Sequence, residues 1–295
     1  MTTRSPLLTL NNGVTMPALG LGVLSRETRE PTAAAVEAAI NDGYRLIDTA
    51  AAYLNERQVG EGLARSGIDR SEMFITTKLW LSDYGYERAL RAFEASLRRL
   101  GLDYVDLYLL HWPVPTAFDA TVASYRAAEQ MLADGRVRAI GVSNFSPRHL
   151  NALMERSRVV PAVNQVEVHP SFAQTALRAV HTRLGIVTQA WSPLGYTVRR
   201  AGKTVDPLTH PTVVRLADRY GKTPAQVVLR WHIEQELSAI PKSFRPERIA
   251  ENFDIFDFAL TADDRAAIDA LDTGVRSGAD PEVVDARTFP VKIDD

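Results

Sequence analysis

The sequence predicts an α/β protein folded as one (β/α)8 (TIM) barrel, and three observations predict it. Apolar runs of strand length recur about every thirty residues, with a helix-length segment between each pair. Chemically capable side chains come just after these runs: Asp48 and Tyr53 after 44–47, Lys78 after 73–77 and His111 after 105–110. In parallel βα architectures functional groups gather at the carboxyl ends of strands, so these four should share one rim. Finally, no linker, low-complexity block or charge run divides the 295 residues, and barrels of this length are routinely one unit. A single domain over 1–295 is expected, with 1–17 an N-terminal β-hairpin and 272–295 a C-terminal substrate loop or tail.

The elements follow in order. Residues 7–10 and 14–16 flank Asn11-Asn12-Gly13, a hairpin signal, and the first barrel strand is expected at 18–23. The Ala-rich segment 32–41 ends before Gly43, as a helix with a glycine stop should. Strands are then expected at 45–48, 73–78, 105–110, 137–142, 162–166 and 186–190, with the eighth at 238–241. Helices fill the gaps at 55–65, 86–100, 119–134, 147–155, 173–183 and 224–235. Two further helical stretches, 211–220 and 263–271, are additions to the repeat. Segments 112–118, 195–210 and 272–295 read as irregular, and long loops in a compact domain usually carry function. Gly20-x-Gly22 lacks the third glycine and the strand-to-helix setting of a dinucleotide fingerprint, which argues against a doubly wound sheet.

Composition excludes several classes. A net charge of −2 gives no basic field for nucleic acid or anionic membrane. With no cysteine there can be no disulfide, thiolate metal site or cysteine nucleophile. The N-terminus has no apolar core for a secretory signal, and no stretch approaches the ~18 uninterrupted apolar residues of a membrane helix. Cytoplasmic residence is the default expectation. No histidine pair has metal-ligand spacing, so no metal is expected. Ser192 and Ser243 lack a Gly-x-Ser-x-Gly setting, so serine hydrolysis is unsupported.

Seven motifs stand in order: Asp48-Thr49-Ala50-Ala51-Ala52-Tyr53, Thr77-Lys78-Leu79-Trp80, Leu110-His111-Trp112-Pro113, Gly141-Val142-Ser143-Asn144-Phe145, Asn164-Gln165-Val166-Glu167-Val168-His169-Pro170, Trp191-Ser192-Pro193-Leu194-Gly195 and Ile240-Pro241-Lys242-Ser243, the last followed by Arg248-Ile249-Ala250-Glu251-Asn252. Together they resemble the aldo-keto reductase superfamily, and within it the bacterial 2,5-diketogluconate-reductase-like branch. The resemblance runs from about Leu7 to Val291. It implies a barrel that reduces aldehydes or ketones (small carbonyls, α-dicarbonyls or keto sugars) with NADPH and without metal, as a monomer.

The family's catalytic tetrad falls on Asp48, Tyr53, Lys78 and His111, and elementary chemistry agrees. Carbonyl reduction needs a hydride for carbon and a proton for the developing alkoxide. A free phenol, with a pKa of about 10, is a reluctant donor at neutral pH, and a neighbouring ammonium makes it a readier one. Lys78 is the candidate ammonium beside Tyr53. Asp48 would hold Lys78, and His111 would orient the carbonyl and hydrogen-bond its oxygen. Taken one at a time, each residue has a structural explanation; four complementary residues at three successive strand ends do not.

For the cofactor, the resemblance assigns Ser143, Asn144 and Gln165 to the nicotinamide carboxamide and Trp191 to stacking on its ring, with Ser192 and Leu194 in the same set. Lys242, Ser243 and Arg248 would grip the 2′-phosphate and adenine, beside Phe244, with Glu251 and Asn252 at the adenine amine. Arg245 adds a cation ahead of an expected helix N-terminus, a favourable place for phosphate. Arg199, Arg200 and Lys203 lie where relatives fold over the pyrophosphate, though a surface charge cluster is an equal reading. The substrate wall would comprise Val23, Leu24, Trp80, His111 and Trp112 with the tail around 276–285; Leu24 followed by Ser25, where relatives often carry an aromatic, permits a roomier pocket. The competing reading is a nicotinamide-binding, redox-sensing regulatory subunit with little turnover, against which the intact tetrad argues.

Overall fold

Eight parallel strands form one sheet that closes on itself, in a computed structural model that describes residues 5–24, 31–195, 198–200, 203–285, 287–291 and 293, and no side chains at 198–200 or 203–205. The chain opens with the antiparallel hairpin of β1 (Leu7–Thr9) and β2 (Thr15–Pro17). The barrel strands are β3 (Leu21–Gly22), β4 (Leu46–Asp48), β5 (Phe74–Leu79), β6 (Val105–Leu110), β7 (Val137–Ser143), β8 (Val163–Glu167) and β9 (Val187–Trp191), completed after the short antiparallel pair β10 (Val198–Arg200) and β11 (Lys203–Val205) by β12 (Ser238–Ala239). Each pairs with the next, and β12 lies beside β9. Closure comes from the segment leading into β3: Gly20 N–H donates to Ala239 O at 2.9 Å and Ala239 N–H to Ala18 O at 2.7 Å.

Among the described residues, ten α-helices accompany the strands: α1 (Thr32–Asn41), α2 (Glu56–Ser66), α3 (Tyr86–Leu100), α4 (Phe118–Ala133), α5 (Pro147–Met154), α6 (Thr175–Leu184), α7 (Pro211–Tyr220), α8 (Pro224–Glu234), α9 (Pro246–Phe253) and α10 (Ala262–Asp269). Local chemistry sets their ends. Thr223 and Thr261 cap α8 and α10 with reciprocal capping boxes, and left-handed Gly67, Gly101, Gly185 and Gly221 stop α2, α3, α6 and α7. The additions to the eightfold repeat are α7 and α10.

Strand alternation decides what the barrel contains. Leu46, Phe74, Leu107, Leu109, Ala139, Val163 and Ile240 pack together in its interior, with Leu10 and Met16 of the hairpin segment joined to them. The intervening side chains, such as Ile47, Ile75, Tyr108 and Ile140, pack among the helices with Val36, Phe93, Tyr125 and Trp231. Burying a side chain of this size contributes about 1.5–3 kcal/mol. Continued upward, the interior lines carry Asp48, Lys78 and His111 to the barrel mouth.

The structure departs from the sequence reading in two places. Segment 195–210, read as irregular, contains the β10–β11 pair, whose three-residue strands are too short to show alternation. Its side chains at Arg199, Arg200 and Lys203, and all of Ser25, lie outside the described residues. The first and eighth strands are also shorter than expected, because the barrel there is joined by isolated bridges, Leu19 to Ala239 and Gly22 to Lys242.

Candidate active site

Lys78 is fully buried in the mouth, and its ammonium is met from three directions. It donates to Asp48 Oδ1 at 2.5 Å, to the carbonyl oxygen of Thr49 at 2.8 Å and to Tyr53 Oη at 3.4 Å. Asp48 reaches it from the end of the neighbouring strand β4. Tyr53 ends a short 3₁₀ turn, Ala51–Tyr53, whose position is held by Asn55: its Nδ2 donates to Val23 O at 2.7 Å and its Oδ1 accepts from Thr49 Oγ1 at 2.9 Å. His111 follows β6, and its ring lies edge-on to Tyr53 at 5.7 Å and to Trp80 at 5.0 Å. The four residues predicted to act together are therefore brought together.

The electrostatics follow from burial. Desolvation raises Asp48 above the usual carboxyl range and pulls Lys78 the other way. In Lys78 the Asp48 carboxylate and the Tyr53 phenol outweigh that pull, so the ammonium is held above the ordinary lysine range. Asp48 also accepts from Gln165 Nε2 at 2.7 Å on its second oxygen. His111 is pushed well below an ordinary histidine by burial, and further by the Lys78 charge, so its imidazole is neutral at pH 7.

Beside this cluster the ends of β7, β8 and β9 form a second polar layer. Ser143 Oγ donates to Gln165 O at 2.8 Å, and Asn144, left-handed at φ +66°, donates through Nδ2 to His111 O at 3.0 Å. Trp191 Nε1 donates to Asn144 Oδ1 at 2.9 Å, which fixes one edge of the indole. Gln165 also donates to Gln189 Oε1 at 2.6 Å, and its Oε1 takes no hydrogen bond among the described residues. Ser192, at φ +49°, and the partly buried Leu194 continue from Trp191 toward Pro207.

The basic segment lies after β12. Lys242, Arg245 and Arg248 are exposed, Ser243 is buried, and α9 begins at Pro246 with no side-chain cap. Lys242 sits over the Phe244 ring at 4.3 Å, and Arg245 pairs with Glu247 at 2.6 Å. Asn252 is buried, and Glu251 accepts from Thr223 Oγ1 at 2.7 Å.

On the substrate side Val23 is wholly buried, whereas Leu24 is 37% exposed. Trp80 and Trp112 are joined by Phe289 from the tail, with ring centroids 6.2 and 5.7 Å away. Tyr84 holds the loop beneath them, donating to Trp112 O at 2.6 Å. The tail is tied down further by Thr273 Oγ1 donating to Ser171 O at 2.9 Å, by Glu282 paired with Arg148, and by buried Val284.

A family profile described as the aldo/keto reductase family matches residues 18–273. The chain belongs to the aldo/keto reductase family. Family membership makes it an oxidoreductase. This aldo/keto reductase is 57% identical over 294 residues to morphine 6-dehydrogenase of Pseudomonas putida, covering 98% of this chain and 99% of that one. It is 46% identical over 273 residues to glyoxal reductase of Bacillus subtilis, covering 92% and 95%. Its structure is similar to that of the Bombyx mori aldo-keto reductase in complex with NADP, at a TM-score of 0.87 and 36% identity over 99% of this chain and 100% of that chain.

Sequence reasoning missed several residues around this candidate site. Gln189, which holds Gln165, was detectable as a polar residue within an apolar strand. Asn55 and the Thr49 carbonyl were not, because their part depends on the fold of one turn. Phe289 lies in a tail with no periodicity to place it.

Proposed function

We propose that the protein reduces aldehydes and ketones to alcohols with NADPH, Tyr53 giving the proton. The observation that carries this reading is the buried Lys78 ammonium lying 2.5 Å from Asp48 and 3.4 Å from the Tyr53 hydroxyl. NADPH, when bound, supplies the hydride that the carbonyl carbon takes up. The chain's own residues do the rest. The Lys78 charge favours phenolate over phenol, so Tyr53 gives up its proton more readily as alkoxide charge grows. Asp48 keeps that ammonium charged and in place. His111, being neutral, can donate one ring N–H to the carbonyl oxygen without adding a second cation beside Lys78.

The residues present fit the cofactor. The open Gln165 Oε1 offers an acceptor for a carboxamide amine beside Ser143 and Asn144, and Trp191 offers a ring to the nicotinamide. Lys242, Ser243, Arg245 and Arg248 around the uncapped start of α9 suit a 2′-phosphate, which favours NADPH over NADH; Phe244, Glu251 and Asn252 complete the adenine end, and Ser192 and Leu194 the link to Trp191. We read 1–295 as one barrel unit of the 2,5-diketogluconate-reductase-like branch, its tail closing a wall of Leu24, Trp80, Trp112 and Phe289, with Val23 supporting that wall from behind.

Small aldehydes, α-dicarbonyls and keto sugars are the proposed substrates, and the glyoxal reductase relative supports the dicarbonyls. The test is NADPH oxidation followed at its absorbance band against simple aldehydes, methylglyoxal, keto sugars and bulky ring ketones. Enzyme-dependent oxidation with at least one of these is expected; none across the panel would refute the reading.

A further inference from the structure

Glu167 is a completely buried carboxylate that the chemistry above does not use. It ends β8 on the interior line, two residues beyond Gln165, and it is paired in register with Trp191 of β9. Register partners on neighbouring parallel strands send their side chains to the same face, so Glu167 and Trp191 stand side by side in the mouth. The carboxylate faces the tail. Ser277 N–H donates to Oε1 at 2.7 Å and Gly278 N–H to Oε2 at 2.9 Å, from 110 and 111 residues away in sequence. His169 Nε2 lies 3.1 Å from Oε1, and the Arg276 guanidinium is 3.9 Å from Oε2 while covering the Phe172 ring at 4.8 Å. These donors outweigh burial and hold Glu167 below the usual carboxylate range.

The grip has a consequence for Trp191. A Cβ placed on Gly278 would lie 2.5 Å from Trp191 Cη2 and 3.1 Å from Glu167 Oε2. The tail backbone therefore rests directly on the benzo edge of the indole, and only glycine permits that approach. The opposite, pyrrole edge is fixed by Asn144. The indole is held at both ends, and one of the two holds depends on a carboxylate that itself touches no reacting atom.

We infer that Glu167 is a positioning residue: by clasping the Ser277–Gly278 backbone against Trp191, it sets the attitude of the indole and so the affinity for the nicotinamide of the cofactor. The inference rests on the assignment of Trp191 to the nicotinamide. A neutral amide cannot reproduce the clasp, because Glu167→Gln accepts one of the two N–H groups and turns an N–H toward the other. Gly278→Ala attacks the same contact from the tail side and leaves the carboxylate intact.

The experiment is a double-mutant cycle read by NADPH titration of tryptophan fluorescence, with amide hydrogen exchange at Ser277 and Gly278 as a readout independent of cofactor. In the native background Glu167→Gln and Gly278→Ala each weaken NADPH at least fivefold and speed exchange at the two amides. In the Trp191→Phe background the same substitutions change NADPH affinity less than twofold, because there is no indole left to position. Equal losses in both backgrounds, or no loss in either, would overturn the proposal and leave Glu167 as a staple of the tail. Failure of native protein to bind NADPH in the same titration would instead refute the cofactor assignment on which it stands.

Discussion

Lys78 and Asp48 form an ion pair with no exposed part to speak of, 2.5 Å from Nζ to Oδ1, on adjacent strands of the barrel. Such pairs are weak contributors to stability, since desolvating both charges costs about as much as their attraction returns. Removing one partner is another matter, because it strands the other charge in the protein interior. Lys78→Met should therefore lower unfolding free energy by about 3–5 kcal/mol and reduce kcat at least a hundredfold. Urea unfolding alongside NADPH oxidation measures both, and a variant that lost stability but kept full turnover would free Lys78 from any part in the chemistry.

The basic segment before α9 makes a prediction about cofactor choice. Lys242→Ala and Arg248→Ala should each weaken NADPH tenfold or more while changing NADH less than threefold. A lost charge-assisted hydrogen bond to phosphate is worth about 1.5–3 kcal/mol, which is this range. Equal losses for the two cofactors would remove these side chains from the 2′-phosphate.

Acid should destabilise the fold through its buried histidines. The orientation of the Asn164 amide is fixed by Phe145, whose N–H it accepts at 3.3 Å and whose carbonyl it donates to at 2.8 Å. Its Nδ2 therefore points at His181 Nε2, 2.9 Å away, which must accept and so carry no proton. Burial, with the nearby Arg178 charge, pushes His181 down to about 4, and burial takes His232 down to about 3. Both folded values lie below the unfolded value of about 6.5. Their stabilisation is thus complete above pH 6.5 and is lost progressively as pH falls toward 4 and then 3. His181→Gln should remove roughly 2–3 kcal/mol of that pH-dependent loss. Urea midpoints from pH 7 to 4.5 report it, and an unchanged slope in the variant would contradict the neutral assignment.

Gly60 lies inside α2, where alanine would ordinarily add about 1 kcal/mol through helix propensity. Here a Cβ would fall 2.2 Å from the carbonyl oxygen of Leu100, at the end of α3. Backbone cannot swing aside as a flexible side chain can. Gly60→Ala should therefore cost about 1–3 kcal/mol net, the range for overpacking, and a stabilised variant would show that α2 and α3 are free to separate.

Much of the barrel was legible because its determinants are local. The runs 73–78 and 105–110 name their own strands, and Asp48, Lys78 and His111 announce a rim by following such runs. The β10–β11 pair was not legible, since three-residue strands carry no period, and neither was the shortness of β3, which hydrogen-bonds through isolated bridges. In the candidate site the strand-end residues could be read and the turn and tail residues could not. Asn55 acts through a turn geometry that no motif encodes, and Glu167 meets Ser277 and Gly278 only because the tail returns across the mouth.

The central claim is that Tyr53 delivers the proton with Lys78 beside it, and one measurement tests it most directly: steady-state turnover and NADPH affinity of Tyr53→Phe, which keeps the ring and removes only the hydroxyl. General acids of this kind contribute about 10²–10⁴-fold, so kcat should fall by about a thousandfold while the dissociation constant for NADPH stays within twofold. A Tyr53→Phe enzyme that retained turnover within tenfold of the native protein would contradict the account.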